Sequence, residues 1–456
     1  MQYKTVIKEW LYHLMMTFLI IAPALYNRYP LVYFDSGAYM EMSVNLMPSF
    51  HRAIGYPMLM KLTGWTISNW PIIFLQGFLV SWLLFQLVKV FINERTRWFH
   101  FLLVLLLSFA TSLSWYASQL MPDIFTLILA LVTLLIVFDS NALLKKLFFY
   151  GAIAFISLLT HLSHLPLLVM VIVAIYGWQW MSKSQQRMPK KAYLVFGAVT
   201  LSAFLFTCAY NAAKGFGFRM SLASNVFITA NIGEMGFLKM YLDENCDQKH
   251  ISLCAIKDSL PQETGGYLWE NSGPIQTHPE GWEGANREYA QVVHDFLTSP
   301  KYLKWLVFGA LKSTFEQMFQ IELGSGLQYT YGDGSPPSWP MHSHFKLELN
   351  EYLTSVQNKD ASLLPLGFFK KVNYLSLFLS ALIIGWAVFN KKLDERGLLL
   401  LAVIFGFYFF NAAITGVLAN VYERLQCRLL PLVQMVGLLI LFSNWGDIFS
   451  RNVKSI

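Results

Sequence analysis

Trp10-Leu11-Tyr12-His13-Leu14-Met15-Met16-Thr17-Phe18-Leu19-Ile20-Ile21-Ala22-Pro23-Ala24-Leu25-Tyr26 is an apolar run without a charged residue, preceded by Lys4 and Lys8, and no small-residue cleavage site follows it. Such a run reads as a spanning helix retained in the chain and not as a removed signal peptide. The rest of the sequence repeats the pattern. Of 456 residues, 55% are hydrophobic, 16% aromatic and only 13% charged, whereas an ordinary soluble domain carries about 25% charge. The chain therefore lacks the polar surface that water requires, and its fold class is an all-α polytopic membrane protein.

Crossing a hydrocarbon core of ~30 Å takes roughly 20 apolar residues, which predicts about ten transmembrane helices. The expected spans are 10–26, 71–91, 98–119, 122–139, 147–162, 165–181, 192–211, 367–389, 397–417 and 428–445. His161, His164 and Pro166 interrupt the stretch 147–181, which reads as two short helices or one bent one. Lys4/Lys8, Arg95/Arg97, Lys145/Lys146, Lys183 to Lys191, Lys391/Lys392/Arg396 and Arg451/Lys454 then fall on one side, making it cytoplasmic with both termini. The absence of any Asn-x-Ser/Thr sequon leans towards a bacterial inner (plasma) membrane.

This organisation divides the chain into an N-terminal transmembrane module (1–211), a non-cytoplasmic insertion (212–366) and C-terminal transmembrane helices (367–456). The first outer loop, 27–70, is expected to carry juxtamembrane helices. The insertion contains the turn-rich Gly332-Asp333-Gly334-Ser335-Pro336-Pro337 and a helical stretch from Glu283 to Gln320 bearing Trp305, Phe308 and Phe315. That helix reads as interfacial, lying along the membrane surface, with an eleventh span as the alternative. Cys246 and Cys254 lie close together in the most polar part and pair as a local disulfide if it faces an oxidising compartment; two free thiols are the alternative. Cys208 and Cys427 read as packing residues.

The net charge of +7 does not point to nucleic acid, because the basic residues sit in short loops between apolar runs and no nucleic-acid-binding motif is present. A transporter places charges within its spans; here the ionisable residues gather at outer helix ends and in outer loops, which favours a site at the membrane surface. The densest such segment is Tyr33-Phe34-Asp35-Ser36-Gly37-Ala38-Tyr39-Met40-Glu41, followed by His51-Arg52-Ala53-Ile54-Gly55-Tyr56-Pro57. Asp35 is either a carboxylate that takes a proton from an acceptor hydroxyl or a helix N-cap. Asp123, after Pro122, has the same two readings. The topology brings both to one face.

Asp35 with Tyr39, Gly55-Tyr56-Pro57, Asp123 after Pro122, and the late segment Tyr422-Glu423-Arg424-Leu425-Gln426-Cys427-Arg428-Leu429-Leu430-Pro431 together resemble the GT-C membrane glycosyltransferases, which include protein mannosyltransferases and lipid A aminoarabinose transferases. The resemblance covers the first ~210 residues best, as an arrangement of spans and loops; family members commonly carry Asp-Glu where this chain has Asp35-Ser36. It implies transfer of a sugar, usually with inversion, from a polyprenyl phosphate or pyrophosphate to a glycan, lipid or protein acceptor at the outer face. Asp35 would be the general base, with Asp123 as the second catalytic acid. Candidates to hold the donor phosphate are Arg424, Arg428, Arg52, Lys61, Lys214 and Arg219, with Arg favoured for its bidentate grip; for Arg424 and Arg428 the alternative is lipid-headgroup anchoring.

Tyr39, His51, Tyr56 and Tyr422 are expected to line the substrate pocket. A divalent cation, Mg or Mn, between Asp35 and the donor phosphate is compatible with the resemblance. His161 and His164 lack a third ligand for zinc and read as polar contacts, and His342 and His344 near Asp333 are open candidates. No Gly-rich nucleotide loop or nucleophile elbow is present, so soluble nucleotide sugars are not expected as donors. The rival classes are a transporter or flippase of lipid-linked glycans, and a polymerase or ligase of surface polysaccharide.

Overall fold

The computed structural model describes residues 2–92, 95–139, 142–181, 187–249 and 251–443. Lys183, Arg451, Lys454, the side chain of Lys4 and the end of the expected 428–445 span lie outside the described residues. Among the described residues no strand forms; the one isolated bridge joins Leu31 to Gln119 and ties the first loop to the 118–120 turn.

Six helices are long and apolar enough to cross a membrane: Trp70–Phe91, His164–Met181, Lys190–Ala213, Leu366–Phe389, Glu395–Leu418 and Glu423–Ser443. The chain is thus an integral membrane protein by the length and composition of its helices. The other expected spans differ in extent. The first is a helix over Gln2–Ile20 that breaks at Ile21 into a short Ala22–Asn27 helix. The expected 98–119 span stops at Ala110: the Thr111 hydroxyl bonds the carbonyl of Leu107 and accepts from the Leu113 amide, and Thr111 itself is extended. A Ser/Thr side chain that offers the backbone such partners competes with helix continuation. The 147–181 stretch is two helices, Leu144–Thr160 and His164–Met181, with an extended His161 between them. Pro166 falls in the first turn of the second, where its missing amide costs nothing.

At the centre, Ile124–Phe138 is buried along its whole length, as expected of a helix apolar on every side. Trp70–Phe91 and Leu144–Thr160 pack on it, and Leu366–Phe389 lies at the periphery against Leu430–Ser443.

The expected 212–366 insertion is not one unit. Its first part builds a separate apolar core from Val226, Leu238, Tyr241, Leu268, Tyr289, Val292 and Phe296. This subdomain is closed by the Cys246–Cys254 disulfide and a Lys249–Asp295 ion pair. Its second part joins the main core through Leu323, Leu327, Met341, Phe345 and Tyr352. There Glu348 accepts from the Tyr29 hydroxyl, the Ser68 hydroxyl and the Asn69 amide, and Gln357 bonds both backbone groups of Val32. Gly37 lets this segment approach, since a Cβ there would stand 2.4 Å from the Pro336 carbonyl oxygen.

The expected Glu283–Gln320 helix is likewise two helices, Gly281–Thr298 and Pro300–Met318. Pro300 forces Ser299 out of the helical region, with ψ at 123°. Pro300–Met318 runs antiparallel to the C-terminal half of the apolar Glu395–Leu418 helix: Tyr408 bonds the Met318 carbonyl while Gly416 abuts Ser313. Phe308 and Phe315 face outwards, whereas Trp305 packs on Phe237.

Candidate functional site

Asp35 and Asp123 occupy the N-cap positions of the Ser36–Asn45 and Ile124–Phe138 helices, yet neither side chain caps its helix. Both carboxylates turn instead to arginines. One oxygen of Asp35 accepts from Arg52, and the other lies 3.3 Å from Nη1 and 3.4 Å from Nη2 of Arg424. Asp123, only 2% exposed, accepts from Nη1 of Arg428 at 3.1 Å, and Nε of Arg424 lies 3.9 Å from it. Two acidic groups from separate stretches of chain thus meet around the Arg424 guanidinium.

The local sequence explains why each group arrives where it does. The Leu31–Gln119 bridge sets Asp35 and Asp123 a few residues past two joined strands of backbone. Gly55 allows the next helix to sit against the backbone of Leu159, where a Cβ would stand 2.4 Å from it, and so fixes the Arg52 loop. The Glu423–Cys427 turn delivers Arg424, held by Tyr116, whose hydroxyl donates to its carbonyl at 3.0 Å.

Arg428 is fully buried, which overturns the headgroup-anchor reading and also removes it as a direct phosphate ligand. It bonds Asn411 at 3.1 Å, and Asn411 in turn donates to Gln426 and to the Leu425 carbonyl. Arg428 therefore holds Asp123. Lys61, Lys214 and Arg219 do not reach either carboxylate. Lys61 bonds the carbonyl of Val44, Lys214 lies over the Tyr210 ring, and Arg219 is tied to the Phe216 carbonyl and to Glu283. Lys61 sits in the last turn of the Gly55–Gly64 helix, and all three are held by nearby carbonyls, rings or a carboxylate other than Asp35 and Asp123.

Of the expected pocket residues, Tyr39 lies beneath Arg52 with the cation 5.8 Å from its ring centre, and Tyr422 bonds the Tyr33 hydroxyl at 3.2 Å. Tyr56 is instead fully buried and donates to Gln76 at 2.9 Å, supporting Tyr39 edge-on. His51 packs against both Trp269 and Trp282. Sequence reasoning missed Tyr33, whose ring carries the Arg424 guanidinium at 4.2 Å, and Asn411. Both had signals: Tyr33 stands two residues before Asp35, and Asn411 is a lone amide inside an apolar span.

Burial opposes the charged form of Asp35, but the Arg52 and Arg424 guanidiniums outweigh it and hold the carboxyl below its ordinary pKa. Burial first, and Arg52 second, push His51 down to about 3, so its imidazole is neutral. Three guanidiniums thus face two carboxylates, leaving the cluster positive.

Beside the cluster lies a cavity of about 360 Å³, with Tyr39, His51, Arg52 and His161 at its polar end. Leu165, Pro166, Phe227, Ile414 and Leu418 supply apolar wall between two of the long apolar helices, interrupted by Ser163, Ser221, Ser224 and Thr415. The shape suits a ligand with a charged head and a hydrocarbon tail.

Neither histidine pair forms a metal site. His164 is buried with one ring nitrogen 2.7 Å from the Thr126 hydroxyl and the other 2.7 Å from the Ser157 carbonyl, while His161 bonds Ser163. His342 pairs with Asp333 and His344 with Glu41. Among the described residues no three His, Cys, Asp or Glu side chains converge as metal ligands. The surroundings of Asp35 do not fit Mg or Mn, because guanidiniums occupy both carboxylate oxygens. No family model, curated protein or solved structure matches this chain.

Proposed function

We propose that this protein is a membrane glycosyltransferase of the GT-C type, moving a sugar from a polyprenyl phosphate or pyrophosphate to an acceptor at the outer face. In this reading the chain crosses the membrane at ten places, the six long helices being joined by the shorter Gln2–Ile20, Thr96–Ala110, Ile124–Phe138 and Leu144–Thr160. Both termini are cytoplasmic, in a bacterial inner membrane, and the outer subdomain faces away from the cytoplasm. The disulfide agrees with an oxidising side.

The observation that carries the proposal is the meeting of Asp35 and Asp123 at Arg424, next to a cavity with apolar walls. Asp35 takes the proton of an acceptor hydroxyl as its oxygen attacks the anomeric carbon. The bond from that carbon to the phosphate oxygen breaks, and the electron pair leaves with the polyprenyl phosphate. Arg424 and Arg52, side by side at Asp35, stabilise the growing negative charge. A donor phosphate competes for the same guanidiniums and so loosens Asp35 as it binds. Proton affinity returns to the carboxylate when the donor is in place, which suits a base otherwise too weak. Asp123 and Arg428 keep Arg424 oriented.

A transporter or flippase would place its charges at mid-membrane around a polar cavity; Asp35 and Asp123 lie instead at helix starts, which in this reading are the outer ends. Purified protein supplied with radiolabelled polyprenyl-phosphate sugars should transfer label to an acceptor, and the Asp35→Asn variant should not. Equal transfer by both would overturn the assignment.

A further inference from the structure

We infer that Trp269 and Trp282 form a stacking platform for a saccharide, so that the acceptor in the proposed reaction is a glycan. The inference rests on the transferase reading and names its acceptor class.

Trp269 ends the Thr264–Trp269 helix and is 48% exposed, whereas Tyr241, Tyr289 and Phe296 of the same subdomain are buried almost completely. Its neighbours Glu270, Asn271 and Ser272 are exposed and polar. Trp282 lies 5.5 Å away at an angle of 41°, and the His51 ring completes a triangle with them, 5.0 Å from Trp269 and 5.3 Å from Trp282. An exposed indole with a half-buried second one behind it offers a broad apolar face. The axial C–H face of a pyranose packs on such a surface, while its hydroxyls need polar partners around the edge. Glu270, Asn271 and Ser272, exposed beside Trp269 in the chain, offer such partners.

The platform is joined to the carboxylate by one run of contacts. Trp269 touches His51, His51 precedes Arg52 in the chain, and Arg52 holds Asp35. His51 also lines the cavity, and its Nδ1 is buried without a hydrogen-bond partner. A hydroxyl of a stacked sugar would satisfy that nitrogen on its way to Asp35.

The test uses full-length protein in nanodiscs with chitobiose, cellobiose and maltotriose as probes and a Ser/Thr-rich decapeptide as the rival ligand, read by saturation-transfer NMR. At least one saccharide should receive saturation on its axial C–H protons. Its affinity should fall about tenfold in Trp269→Ala, equivalent to about 1.4 kcal/mol, and stay within about twofold in Trp269→Phe. Saturation of no saccharide, saturation that survives Trp269→Ala, or binding of the peptide alone would overturn the platform. Polyprenyl phosphate binding, titrated separately on the same protein, keeps the two ideas apart. Saccharide binding without it would leave the platform standing and remove the transferase reading; polyprenyl phosphate binding without any saccharide would do the reverse.

Discussion

Arg424 stands 3.3 Å from Asp35 although 389 residues separate them in the chain. Its Nε also points at Asp123, so a single guanidinium reads the charge of both acids. With Arg52 and Arg428 completing the cluster, a positive charge is left over for an anion. Five predictions follow from that arrangement and from the way the fold supports it.

Asp35→Asn keeps the shape of the side chain and removes the base. Transfer from a radiolabelled polyprenyl-phosphate sugar should drop by about 10²–10⁴-fold. Donor affinity should hold or rise, because Arg52 and Arg424 lose their competitor.

Arg52→Gln removes one of the two cations that keep Asp35 ionised. The folded pKa of Asp35 then rises, so the acid limb of the rate profile should move to higher pH than in the wild type. A limb that stays in place, measured from pH 4 to 8, would assign that ionisation to another group.

Arg428→Met strands Asp123 in a site that is 2% exposed. Leaving a buried charge without its partner costs about 3–5 kcal/mol, which should appear as a lower unfolding midpoint in detergent. Adding Asp123→Leu should recover most of that loss. It should not recover activity, since Arg424 then lacks its second anchor.

His51 has a folded pKa of about 3 against an ordinary value of 6.5. The unfolded chain therefore binds the extra proton first, and stability is complete above pH 6.5 and lost as pH falls towards 3. At pH 5 the loss is roughly 2 kcal/mol. A His51→Gln variant should lack this share of the acid sensitivity when unfolding is followed between pH 7 and 4.

Glu348→Ala leaves the Tyr29 hydroxyl and the Asn69 amide without their acceptor in a buried place. Each orphaned group costs about 1–3 kcal/mol. Limited proteolysis should show the 338–363 segment opening before the membrane helices unfold.

The class of this protein was legible from composition and run length, because the need to satisfy backbone groups in lipid acts on each segment locally. The acidic residues at outer helix starts were legible for the same reason. Their role was not, because an N-cap aspartate and a catalytic one look alike in sequence. Only the arrival of Arg52 and Arg424 turned the Asp35 side chain away from its own helix. Tertiary packing also decided that Arg428 is buried while Lys61, Lys214 and Arg219 are spent on local partners. It split the insertion between two cores and stood Pro300–Met318 against a membrane helix. The deciding contacts, Arg424 with Asp35, Arg428 with Asp123 and Tyr408 with Met318, join residues 90 to 389 positions apart, and neither periodicity nor charge pattern carries information over that distance.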